Sequence, residues 1–169
     1  MHGAPHTTRG NRMELFIKQK IASLNDKIDI LDGDDQVVYR SKRNAPTIKD
    51  ETHITDAAGT EVSYFYDNPL AMTRQYTMVM ADGREYHMGQ KGLHLNDDIT
   101  VEGLGWHLKS RNFRLAAYDI FDANGEKVAS ATLKPGIHRI YRIEVFDESD
   151  LDIVATLFVL MKHLIDRKQ

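Results

Sequence analysis

The run Ile153-Val154-Ala155-Thr156-Leu157-Phe158-Val159-Leu160-Met161 constrains this chain more than any other segment. Wound as a helix, it is apolar on every face rather than along one stripe, and such a helix has to be surrounded by other protein. It falls well short of the roughly 20 apolar residues that cross a bilayer. Ser149 with Asp152 three residues on offers a helix start. Lys162, His163, Arg167 and Lys168 place positive charge where a helix dipole is negative. Ile, Val and Phe also suit strands, but the length of the run and the cap favour a helix over a buried strand.

The preceding chain has the pattern needed to surround that helix. Apolar residues alternate with polar ones, as in Ile28 and Ile30, in Tyr76, Met78 and Met80, in Ile99 and Val101, and in Ile143 and Val145. Period-two alternation marks half-buried antiparallel strands. It predicts strands at Glu14–Lys20, Lys27–Leu31, Val37–Ser41, Thr52–Thr55, Val62–Tyr66, Gln75–Met80, Glu85–Gln90, Asp98–Glu102, Trp106–Lys109, Leu115–Phe121, Lys127–Lys134 and Tyr141–Phe146. Acidic turns recur between them as a weak internal repeat. Asp32-Gly33 and Asp82-Gly83 suit two-residue type I′ hairpins, and Asp56-Ala57-Ala58-Gly59 and Asp122-Ala123-Asn124-Gly125 suit a type I turn closed by a left-handed glycine. A helix with its side chains is about 10–12 Å across. Eight strands enclose only side chains, whereas eleven-stranded cans hold a helix. The expected fold is therefore mainly β: an antiparallel closed barrel of about twelve strands enclosing a C-terminal hydrophobic α-helix.

Residues 1–12 are polar and irregular and read as a disordered leader, leaving residues 13–169 as one domain. The net charge of -3, spread over both signs, gives no support for nucleic-acid binding. There is no cysteine, so neither a disulfide framework nor a thiolate site exists. With no signal-like apolar leader and no spanning segment, the chain is expected to be cytoplasmic, at most peripheral to a membrane.

Met13-Glu14-Leu15-Phe16-Ile17-Lys18-Gln19-Lys20, the hairpin at Asp122–Val128, Ile99–Ser110 with Gly103 and Trp106, and the ending from Tyr141-Arg142-Ile143-Glu144-Val145 through the apolar helix together resemble the LURP-one-related (YxjI-like) family. The resemblance spans Met13 to about Asp166 and rests on the order of these motifs. It implies a twelve-stranded barrel around a C-terminal helix, similar to the C-terminal domain of Tubby proteins and to phospholipid scramblases. It implies no established enzymatic activity, and it suggests membrane-lipid or partner binding by analogy with Tubby. No Tubby-type phosphoinositide site can be matched residue by residue.

The residues offer no catalytic set. Of the eight histidines, only His2 and His6 share a helical metal-ligand spacing, and they lie in the leader, so no metal or cofactor is expected. Paired carboxylates such as Asp34-Asp35 and Asp97-Asp98 sit at turns, where Asp bonds its own backbone. Gly103-Leu104-Gly105 lacks the Lys-Ser/Thr of a phosphate loop, and Trp106 is expected in the core or at the rim. The cluster Arg40, Lys42 and Arg43 at a strand end, extended by Lys49, is the candidate site for an anionic headgroup, since Arg forks and Lys point charges both hold phosphate. The expected function is a non-enzymatic binding or scaffold module for anionic phospholipid or a protein partner. The alternative is a small-molecule carrier or enzyme with a pocket at the barrel mouth, built from residues such as His138, Tyr141 and His163.

Overall fold

A computed structural model describes residues 11–19, 27–44, 50–67, 75–89, 99–112, 117–134 and 139–166. Its strands are β1 (Met13–Gln19), β2 (Lys27–Leu31), β3 (Val37–Arg43), β4 (Glu51–Asp56), β5 (Glu61–Asp67), β6 (Gln75–Met80), β7 (Glu85–Gly89), β8 (Ile99–Glu102), β9 (Trp106–Asn112), β10 (Ala117–Phe121), β11 (Lys127–Lys134) and β12 (Arg139–Val145). Each pairs antiparallel with its sequence neighbour, and β12 returns to β1 to close the barrel. A 3-10 turn (Glu148–Asp150) then leads into α1 (Leu151–Asp166). The twelve-stranded barrel and its helix are thus as the alternation predicts. Strand β3 runs two residues further than expected, so Lys42 and Arg43 join Arg40 within it. Lys20, Gln90, Asp98, Leu115 and Ala116 of the expected strands, and the leader up to Gly10, lie outside the described residues.

Register makes the inner wall continuous. Ile28, Ser41, Ile54, Ser63 and Met80 form one inward row across β2 to β6, and Ile99, Leu108, Ile120, Ala129 and Val145 form another across β8 to β12. Trp106, paired with Val101, belongs to the core. Val154, Ala155, Leu157, Phe158 and Leu160 occupy different faces of α1, and all are 0% exposed. This is what an all-round apolar helix requires.

Three hairpins share one turn. Asp32, Asp56 and Asp122 each give their backbone N–H to the carbonyl four residues on, and accept two later backbone N–H groups on a carboxylate oxygen. The pairing slips by one residue beside each turn, between Ile30 and Leu31, Ile54 and Thr55, and Ile120 and Phe121. The third residue after the aspartate takes positive φ: Gly59 at 88°, Gly125 at 80°, and Asp35 at 60°. The expected type I′ hairpin at Asp32-Gly33 is therefore corrected. Gly33 is not left-handed, because the aspartate carboxylate organises a longer turn and puts Asp35 in the left-handed position. The same correction holds at Asp82-Gly83, where Gly83 alone is left-handed and Met80 begins the turn.

The helix start is also corrected. The cap is Asp147, whose carboxylate accepts both the backbone N–H and the hydroxyl of Ser149, and Ser149 itself lies in the 3-10 turn. Inside the barrel, polar contacts fix the helix. The Tyr39 hydroxyl donates to Asp152 Oδ1 at 2.5 Å. The Ser63 and Thr156 hydroxyls meet at 2.6 Å, and the Thr156 hydroxyl donates to the Asp152 carbonyl at 2.7 Å. Burial, then the bond to Asp152, holds the Tyr39 hydroxyl far above its ordinary pKa, so it remains a donor.

Three outcomes are expected. Thr156→Val strips Ser63 of its buried partner and should cost about 1–3 kcal/mol, while adding Ser63→Ala should recover most of the loss, as read by urea midpoints of the four-variant cycle. In a Lys18→Ala background, which removes the exposed ion pair to Asp35, Asp35→Gly relieves a left-handed non-glycine residue and should raise stability by about 0.5–1 kcal/mol in the same assay. Burial first, and then Asp147 and Asp122, push the Asp150 carboxyl above its ordinary value. The folded state thus disfavours that charge at neutral pH and loses the penalty as pH falls below the unfolded carboxylate value of about 3.9. Asp150→Asn should raise Tm at pH 7 and lose its advantage near pH 3.

Candidate functional site

Strand direction divides the barrel into two unlike ends. The hairpin turns of β2–β3, β4–β5, β6–β7, β8–β9 and β10–β11, and the entry to α1, share one, here called the turn end. The connections β1–β2, β3–β4, β5–β6, β7–β8, β9–β10 and β11–β12 leave from the other, the linker end. Binding residues concentrate where connections are carried by a rigid scaffold. The basic cluster lies on the linker side.

The structure separates the four candidate cations. Arg43 is forked on Asp50, with nitrogen–oxygen distances of 2.7 and 2.6 Å. Arg40 faces Asp29 across the β2–β3 pair at 3.5 Å. Lys49 lies outside the described residues. Lys42 is exposed, and among the described residues it has no acidic partner. Its neighbour across the strands is instead Lys27, also exposed at the start of β2. Lys27 was not singled out by sequence because it stands 15 positions away, next to Ile28, and only the β2–β3 register brings it to Lys42.

Continuing that outward row, Lys42 pairs with His53 and His53 with Tyr64. The His53 and Tyr64 rings stack at 5.3 Å, and Tyr64 stacks with Tyr66 at 6.3 Å. His53 Nδ1 lies 3.0 Å from Glu61 and Nε2 3.3 Å from Glu51. The two ring nitrogens face different carboxylates, so these three side chains do not converge on a common point. His87 faces outward as alternation requires, with its Nδ1 3.1 Å from the Thr77 hydroxyl.

Beneath the linker end, at the last turns of α1, two residues of the alternative site meet different partners. Tyr141 is inward and buried, and the Lys162 ammonium stands 5.1 Å from its ring centre. His163 meets the rings of Phe65 and Tyr76 edge-on at 6.2 and 6.3 Å. His138 lies outside the described residues. Lys162, one of the cations read as complementing the helix dipole, is 3% exposed, because α1 continues past it inside the barrel. Its ammonium rests on an aromatic face, a contact favourable for a desolvated cation. Among the described residues no helix is long and apolar enough to cross a membrane.

Residues 13–162 match the model of the LURP-one-related family. The uncharacterised protein YxjI of Bacillus subtilis (strain 168) is 21% identical over 152 residues, covering 88% of this chain and 91% of that protein. An X-ray structure of a protein from Arabidopsis thaliana has the same fold, with a TM-score of 0.66 and 12% identity, covering 92% of this chain and 93% of that one. The match runs from the first residue of β1 into the buried end of α1, and on it the chain belongs to the LURP-one-related family.

Proposed function

We propose that the protein is a non-enzymatic binding module whose linker-end rim engages anionic phospholipid. The Lys27–Lys42 pair carries this reading. Like charges directly opposite on neighbouring strands destabilise a sheet, and two residues along the same two strands Asp29 and Arg40 face each other with opposite signs. The rim thus keeps two exposed ammonium groups together where an acidic partner would be more stable. Point charges of this kind suit a headgroup phosphate. The pocket alternative has less support, since the Tyr141 and His163 rings are already engaged by Lys162, Phe65 and Tyr76.

The test is co-sedimentation with phosphatidylcholine vesicles, with and without phosphatidylserine. Each Lys near such a surface contributes about 1 kcal/mol. Lys27→Glu with Lys42→Glu should therefore weaken binding by at least about 30-fold. Lys42→Glu alone should raise stability by about 0.2–1 kcal/mol, because it turns the like-charge pair into an ion pair; that gain separates lost binding from lost folding. Equal sedimentation of the doubly reversed variant and the parent would remove the rim from consideration. Capture of a protein partner without any vesicle binding would favour the protein arm of the binding module.

A further inference from the structure

Among the described residues, acidic groups are concentrated at one end of the barrel axis. At the turn end, Asp32, Asp56, Asp82 and Asp122 each organise a hairpin turn, and Asp147 with Asp150 stands at the helix entry. The nearby cations Lys18, Arg84 and Lys127 are each paired with a carboxylate, on Asp35, Asp82 and Asp119 respectively. The acidic groups of separate segments feel one another: Asp150 is pushed upward first by burial and then by Asp147 and Asp122. At the linker end, Asp50 is paired with Arg43, Glu51 begins β4 and Asp67 ends β5, while Arg111, six strands round from β3, shares Asp119 with Lys127; Lys27 and Lys42 are exposed there with no acidic partner among the described residues. A net charge of -3 therefore conceals a pronounced axial polarity.

From this sorting we infer that the barrel meets an anionic phospholipid surface end-on, with its linker end down and its turn end directed into solvent. The inference rests on the lipid reading above and adds an orientation to it. Seven-residue strands such as β3 separate the two ends by about 20 Å. The field of an anionic surface decays over about 8 Å at physiological salt. Upright, the lysine pair lies within that field and the turn aspartates lie beyond it. Inverted, the barrel brings the turn-end carboxylates against a negative surface, and on its side it presents mixed pairs such as Arg142 with Glu14 and Arg40 with Asp29. The upright orientation is thereby the attractive one.

The chain has no cysteine, so single labels can be placed at will. Asn44→Cys puts a polarity-sensitive dye on the exposed linker-end rim, and Asn124→Cys puts one on the exposed turn end. With phosphatidylserine-containing vesicles, the Asn44→Cys label should blue-shift on binding and the Asn124→Cys label should not. Asp34→Lys combined with Glu126→Lys at the turn end should change binding less than twofold in the same titration. Sedimentation with an equal or larger shift at the turn-end label, or a more than tenfold gain from the turn-end lysines, would overturn the orientation while leaving lipid binding intact. No sedimentation of the unsubstituted chain overturns both, so the two failures are distinguishable.

Discussion

The apolar surface of α1 has no face that tolerates water, and the barrel is organised around that constraint. A half-open sheet would leave one side of Leu157, Phe158 or Leu160 wet; twelve strands closed through β1 and β12 leave none of them exposed. Apolar burial is non-directional and by itself would let the helix rotate or slide. Direction comes from the few polar contacts along it: Tyr39 with Asp152, Ser63 with Thr156, and Lys162 over Tyr141. They touch β3, β5 and β12, so three separated parts of the wall agree on a single helix position.

Turn chemistry explains the surface. An aspartate that accepts its own downstream backbone N–H groups is a compact way to reverse a strand, and the chain uses it repeatedly at one end. The helix enters the barrel from that same end, where its positive dipole end also favours carboxylates. Local requirements of turns and caps thus gather acidity at one end without any long-range design being needed. The lysine pair on β2 and β3 has no such local cause, which is why it supports a functional reading better than the more numerous aspartates.

Architecture was more legible in sequence than the site. Period-two alternation at Tyr76, Met78 and Met80, and the all-round apolar run of α1, each report a burial pattern that involves many residues, so small errors do not hide them. The turn at Asp32 was misassigned because Gly33 draws attention as the flexible residue, whereas the bonds made by the Asp32 carboxylate decide the geometry and move the left-handed position to Asp35. At the rim, the run Arg40, Lys42 and Arg43 overstated the charge. Its two arginines find carboxylates on neighbouring segments, and those pairings depend on register. Lys27 was missed for the same reason in reverse.

The seam between β1 and β12 has a consequence for how the molecule is made. Met13 pairs with Val145, and Gln19 with Arg139, so the first strand meets its second neighbour only after some 120 intervening residues have been synthesised. Until then the emerging sheet carries an uncovered apolar inner wall and two open edges, and the helix that will fill it is still inside the ribosome. Such an intermediate is prone to sticking and to mispairing. The barrel can consequently close around its helix only after β12 and α1 have both been made.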